Sequence, residues 1–148
     1  MKGFKFRYES ILDLIDKKES NVKNKLRESY NVLHREKHKL NTLVIKDDQY
    51  TKIIKEKTSS GCKLMTLRNI QSYRKDLNNN IVLQNNVIFN KEKEIDSIRN
   101  ELLKISKEKK IMEKLKEKNL EEFKMELKKV EERSIDQLVT YKNSLIHR

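Results

Sequence analysis

Apolar side chains recur every three or four residues from Tyr8 to Ile54, at the spacing of a coiled-coil helix. If Tyr8 is given heptad position d, alternating steps of four and three define a first seam. The first seam consists of Tyr8, Leu12, Ile15, Glu19, Val22, Leu26, Ser29, Leu33, Glu36, Leu40, Leu43, Asp47, Tyr50 and Ile54, of which ten of fourteen are apolar. Polar and charged residues fill most positions between them, so the pattern predicts a helix with one narrow apolar face that needs a partner helix.

A second seam begins at Leu77 and predicts a second long helix. It runs through Leu77, Ile81, Ile88, Ile95, Ile98, Leu102, Ile105, Met112, Leu115, Phe123, Leu127, Val130, Leu138, Tyr141 and Leu145, with polar interruptions at Gln84 and Lys91 and phase slips near 115–120 and 134–138. Residues 81–89 can also be drawn as a β-hairpin that turns at the asparagines. An isolated hairpin would be marginally stable, and the continuing seam favours the helix.

The clearest break in the chain is Thr58–Gly61, three small hydroxyl residues followed by a glycine that can adopt the left-handed conformation. A sharp reversal at this break would leave roughly 30 residues of the second helix without a partner. We therefore expect a longer connector, with a short helix over Lys63–Asp76 and a second break at 77–80.

These elements predict an all-α fold, two long helices in an antiparallel coiled-coil hairpin with a short helical connector. The expected bounds are about 4–58 for the first arm, 59–80 for the connector and 81–146 for the second arm, in one elongated domain over 1–148. The first helix begins either near Gly3 or at Ser10, whose hydroxyl can cap the first turn.

Both ends of the chain carry apolar residues beside the seam. Phe4 and Ile11 take position g and Leu14 takes position c, which makes a short N-terminal stripe. This stripe is either additional core or a surface that docks another protein. Near the other end, Ile135, Val139 and Ile146 also lie off the seam, and an antiparallel hairpin is expected to bring the two ends together.

Composition narrows the class of protein. Charged residues make up 39% of the chain and hydrophobic residues 35%, with no Pro, no Trp and two Gly, which leaves little material for a globular core. The net charge is +12, but Lys is interspersed with Glu along each predicted helix. This distribution is typical of solvated helix faces, whereas a nucleic-acid-binding surface is expected to cluster its cations. The lone Cys62 cannot form an internal disulfide, and no segment resembles a signal peptide or a membrane span, so we expect a cytoplasmic protein.

No pattern in the sequence points to catalysis, a cofactor or a metal. His34 and His38 share a helix face at i and i+4, but they fall on water-facing positions and lack the zinc-protease order. The chain has no Gly-rich phosphate loop and no nucleophile set, so we expect no enzyme, no catalytic residue and no bound cofactor. Glu19, Glu36 and Asp47 interrupt the first seam, and we expect them to fix helix register at some cost in stability.

The opening Phe4–Leu14, read as Phe-Lys-Phe-Arg-Tyr-Glu-Ser-Ile-Leu-Asp-Leu, resembles the start of the FliJ family of flagellar type III export proteins. Chain length, heptad rhythm and Lys/Glu-rich helices agree with that resemblance. The positions that match the family pattern are Phe4, Phe6, Glu9, Ile11 and Leu12. Tyr8 stands where Leu is common, which is a conservative change in an apolar seam.

The resemblance implies a stalk-like coiled coil, similar to the central stalk of rotary ATPases, at the base of the flagellar export apparatus. Its implied partners are the export ATPase hexamer, the membrane-embedded export gate and export chaperones, with no nucleic acid and with membrane association only through partners. The partner-binding residues expected on this basis are Phe4, Phe6, Glu9, Ile11, Leu12, Leu14, Val139 and Ile146. The alternative is a basic coiled coil that binds nucleic acid or serves as a structural scaffold.

Overall fold

The protein was analysed as a computed structural model that describes residues 3–147. Helix α1 spans Glu9–Ser60, 52 residues, and helix α2 spans Leu64–Ile146, 83 residues. The described residues contain no strand, so 81–89 is helical and the β-hairpin alternative is excluded. The prediction of an all-α antiparallel hairpin is confirmed.

Helix α1 ends where the sequence places its clearest break. The hydroxyls of Thr58, Ser59 and Ser60 each donate a hydrogen bond to the carbonyl oxygen four residues earlier, at 2.6, 2.9 and 2.9 Å. Gly61 follows with a φ of +83°, a left-handed backbone conformation that residues with a Cβ rarely adopt. The chain reverses within residues 61–63 and begins α2 at Leu64.

The structure corrects the predicted connector over about 59–80. Residues 64–76 are helical, but they are the first turns of α2, and the helix continues through 77–80 without a break. Leu77 is buried in the seam, and the half-buried Leu67, Ile70 and Ile81 extend that apolar face on both sides. Packing along this face outweighs the weak helix propensity of three asparagines, each of which disfavours a helix by only a fraction of a kcal/mol, about 0.7 at most.

The chain divides into two compact units. The turn unit is Asn21–Leu102, and the terminal unit combines the described residues up to Ser20 with those from Leu103 onward. In the turn unit, the rings of Tyr50 and Tyr73 lie 4.9 Å apart, about ten residues from the chain reversal on each helix. Farther from the reversal, Arg99 hydrogen-bonds the Tyr30 hydroxyl and its guanidinium lies over the Tyr30 ring. Earlier residues of α1 therefore meet later residues of α2, as an antiparallel pair requires.

The core of the turn unit is a cluster of Leu33, Ile88 and Ile95, with Leu26 and Leu40 packed against it. The heptad assignment agrees with the burial of the side chains, because all fourteen positions of the first seam are buried or half-buried. The apolar positions of the second seam are buried or half-buried from Leu77 to Leu127.

All three acidic residues of the first seam contact polar residues of α2. In the terminal unit, Lys109 Nζ lies 3.3 Å from Glu19 Oε1 and Ser106 donates to Glu19 Oε2 at 3.3 Å. In the turn unit, the Gln84 amide donates to both the carbonyl oxygen and the carboxylate of Glu36, at 2.9 and 2.6 Å. The third pair joins Arg74 Nε to Asp47 Oδ1 at 3.1 Å.

The same contacts shift two pKa values. The hydrogen bond from Gln84, assisted by Lys39, lowers the pKa of Glu36 below its ordinary 4.5. Hydrogen bonds to Asp16 first and to Glu19 second raise the pKa of Lys109 above its ordinary 10.5. The interruptions in the first seam therefore meet matching polar groups and leave no seam carboxylate facing an apolar surface.

Within the terminal unit, α2 extends well past the point at which α1 begins. Phe4 contacts Phe123, and the side chains of residues 128–147 are all exposed. Ile146 is more than six helical turns beyond Phe123, about 35 Å along the axis. The expectation that the two ends lie together is therefore wrong. The cause is the early turn at 61–63, which leaves α2 longer than α1.

Candidate docking site

The segment that precedes α1 packs against α2 through aromatic rings. Phe6 is 7% exposed, its ring centroid lies 5.8 Å from that of Tyr8, and its carbonyl oxygen accepts a hydrogen bond from the Glu9 amide at 3.2 Å. Leu12 is likewise buried in the seam. Phe6 and Leu12 therefore stabilise the fold, and neither presents its side chain to solvent for a partner.

Phe4 and Glu9 are half-buried and both contact α2. The Phe4 ring lies 5.6 Å from the Phe123 ring at an interplanar angle of 51°, beside an open groove whose α2 wall includes Glu122 and Glu126. Glu9 lies in the first turn of α1, where a carboxylate favours the helix dipole, and its Oε2 is 2.9 Å from Lys116 Nζ. These two residues hold the start of α1 against α2.

Ile11 and Leu14 are the exposed members of the N-terminal stripe. Their side chains are 47% and 53% exposed, as expected for positions g and c beside the seam. They lie on the first two turns of α1 and form a small exposed apolar patch beside the contact with α2.

A larger apolar surface lies on the last turns of α2. We call residues 128–146 the α2 overhang, because no α1 residue of the described structure packs against them. Val139 and Ile146, predicted as partner-binding residues, are 51% and 75% exposed. The exposed apolar residues of the overhang are Val130, Ile135, Leu138, Val139, Tyr141, Leu145 and Ile146.

Four of these overhang residues belong to the predicted second seam, namely Val130, Leu138, Tyr141 and Leu145. Sequence reasoning missed their exposure, although the signal that could have revealed it was present. The first seam ends near the break at Thr58–Gly61, so a sharp turn there gives α1 too few residues to cover the last heptads of α2.

The described residues do not bring a set of metal-ligating side chains together. No group of three or more His, Cys, Asp or Glu side chains within 3–147 is placed to hold a metal ion, and both His34 and His38 are exposed. The Cys62 thiol is exposed at the turn. No described helix combines the length and the apolar character that crossing a membrane requires.

The fold and these residues define a coiled-coil hairpin with solvated charged faces and two exposed apolar patches, one on the first turns of α1 and one on the last turns of α2. The family model described as flagellar FliJ protein matches residues 4–144, nearly the whole chain, and the chain belongs to the FliJ family. No curated protein and no solved structure matched the chain significantly. Family membership makes the protein a structural component of flagellar protein export.

Proposed function

We propose that the protein is a non-enzymatic, stalk-like coiled coil that binds the export ATPase hexamer and the membrane-embedded export gate. In this role it helps to couple energy to export and to the traffic of export chaperones. It works in the cytoplasm at the base of the flagellar export apparatus, peripheral to the inner membrane. Membership of the FliJ family supports the assignment to export, and the exposed apolar surface supports the docking of a protein partner.

The observation that carries this proposal is the exposure of the α2 overhang. Seven large apolar side chains on consecutive helical turns remain in water, whereas the apolar seam positions of α2 from Leu77 to Leu127 are buried or half-buried. Burying one such side chain contributes about 1.5–3 kcal/mol. A partner that covers several of them therefore gains enough to bind tightly, and a ring of subunits can surround a single helix on all sides.

Ile11 and Leu14 form a second, separate apolar patch on the terminal unit, because the neighbouring Glu9 pairs with Lys116, twelve residues before the overhang begins. They are exposed and contribute little to hairpin stability, so their role in binding can be separated from their role in folding. Phe4, Phe6, Glu9 and Leu12 act on binding indirectly, by fixing the start of α1. Among the predicted partner-binding residues, the proposal therefore assigns direct contact to Ile11, Leu14, Val139 and Ile146.

The test compares three double variants in titrations with the purified export ATPase. Ile11→Gln/Leu14→Gln and Val139→Gln/Ile146→Gln alter the proposed surface, and Val82→Gln/Leu83→Gln is a matched exposed pair on the turn unit. The first two should weaken ATPase binding by at least about 2 kcal/mol, roughly 30-fold, with helix content by circular dichroism unchanged. Equal losses in all three variants, or no loss in the first two, would refute the docking assignment.

A further inference from the structure

The chain reversal carries a second exposed surface that the proposed docking role does not use. Leu64 and Met65, the first two residues of α2, are 69% and 71% exposed. They stand next to the reversal at 61–63, with Lys63 immediately before them and Arg68 one turn later. We call Lys55, Lys63, Leu64, Met65 and Arg68 the turn surface.

Positive charge is concentrated around this apolar pair. Between Lys52 and Arg68 the sequence has five cationic residues and one acidic residue, Glu56. Lys55 lies about 7.5 Å before the end of α1 and Arg68 about 6 Å after the start of α2 at 1.5 Å per residue, so both are within a Debye length of about 8 Å from the reversal. The first turn of α2 carries no acidic residue, which leaves the positive end of the helix dipole uncompensated.

We propose that the turn surface inserts Leu64 and Met65 into the headgroup region of an anionic lipid bilayer while Lys55, Lys63 and Arg68 contact lipid phosphates. Exposed apolar side chains that are flanked along the chain by cations are the chemistry that binds anionic membrane surfaces. This contact is direct, whereas the proposed function requires membrane association only through protein partners.

The size of the turn surface favours a bilayer over a protein or a nucleic acid. A stable protein interface covers about 800 Å² on each partner, some 20–30 residues, and the turn surface has five side chains. A bilayer accepts a small convex tip without shape complementarity. The sequence has no aromatic residue between Tyr50 and Tyr73, so no ring at the turn can stack on nucleic-acid bases.

The test measures flotation of the full chain with phosphatidylglycerol-containing vesicles and with neutral phosphatidylcholine vesicles. The wild-type chain should float with the anionic vesicles at physiological salt and stay in solution with the neutral ones. Lys55→Gln/Lys63→Gln/Arg68→Gln should lower the partition coefficient roughly 100-fold, at about fivefold for each cation. Leu64→Gln/Met65→Gln should lower it at least about tenfold.

Two matched controls separate the turn surface from the general basic character of the chain. Val82→Gln/Leu83→Gln removes an adjacent exposed apolar pair from the same helix, and Lys25→Gln/Arg27→Gln/Arg35→Gln removes three exposed cations from α1. Both control variants should float like the wild-type chain. If either control lost as much binding as its turn variant, or if the wild-type chain did not float with anionic vesicles, the proposal would be overturned.

The single cysteine provides a local readout. An environment-sensitive fluorophore on Cys62 should shift to the blue with anionic vesicles, whereas the same fluorophore on a Cys62→Ser/Asn86→Cys variant should not. A shift at both sites, or at Asn86→Cys alone, would place the contact elsewhere on the chain. Loss of duplex DNA binding in the turn variants without loss of flotation would assign the surface to nucleic acid and overturn the proposal.

Discussion

Replacing Leu33 by alanine tests the packing of the turn unit at its centre. Leu33 is 8% exposed and belongs to the cluster with Ile88 and Ile95. The change removes three carbon atoms, and at about 0.8 kcal/mol for each buried carbon the transfer contribution is about 2.4 kcal/mol. A two-helix core can relax around the missing atoms, so the cavity contribution should be small and the total loss of unfolding free energy about 2–3 kcal/mol.

The matched control is Leu83→Ala on the same unit. Leu83 is 62% exposed, so the same three carbon atoms should contribute less than about 1 kcal/mol. Lys37→Gln is a second control, because its pair with Glu92 at 3.5 Å is about half exposed and contributes less than about 1 kcal/mol.

Urea unfolding followed by circular dichroism at the helical band measures all three variants. Leu33→Ala should lower the midpoint at an unchanged slope, and both controls should unfold near the wild-type midpoint. If Leu33→Ala and Leu83→Ala lost equal stability, the heptad phase and the core assignment would both be wrong.

Three further predictions concern the turn, the seam and the overhang. Gly61→Ala should lower stability by about 1 kcal/mol because the residue has positive φ, while Gly3→Ala, measured in the same thermal melts, should be neutral. The lowered pKa of Glu36 contributes unfolding free energy that is fully present above pH 4.5 and should be lost as the pH falls below 4.5. In urea titrations, the unfolding free energy of Glu36→Gln should therefore depend less on acid pH than that of the wild-type chain. Truncation after Leu127 should leave the unfolding midpoint nearly unchanged and abolish ATPase binding, whereas a large drop in the midpoint would show that the overhang is part of the core.

The sequence predicts the helix pairing well because heptad spacing and burial arise from the same geometry. Every position from Tyr8 to Ile54 in the first seam is shielded from solvent, as its phase requires. The connector could not be predicted by the same argument. The heptad pattern disfavours a sharp turn at Gly61 because such a turn leaves part of α2 without a partner. In the structure the chain does turn there, and the end of α2 stays exposed.

The candidate docking site can be predicted only in part from the sequence. Heptad phase places Ile11 and Leu14 beside the seam but leaves open whether they belong to the core, and the structure shows that both are exposed. Phase alone cannot show that Phe4 packs on Phe123, or that Phe6 is buried, because both residues precede α1 and heptad phase has no meaning outside a helix.

The polar pairs within the seam explain how one register is selected among several. A repeating apolar seam can slide by one heptad and still cover most of its surface, so apolar burial alone discriminates weakly between registers. A one-heptad slide of α2 would replace Arg74 opposite Asp47 by Leu67 or Ile81, so that carboxylate would face an apolar side chain in either direction. The same slide would replace Gln84 opposite Glu36 by Leu77 in one direction and by Lys91 in the other. A half-buried carboxylate that loses its partner and faces an apolar side chain is destabilising, so the polar pairs favour the native register over a shifted one. The double change Glu36→Leu/Gln84→Leu should therefore keep or raise the unfolding free energy while allowing shifted registers. Disulfide trapping between cysteines placed on the two helices should then capture shifted pairings that the wild-type chain does not form.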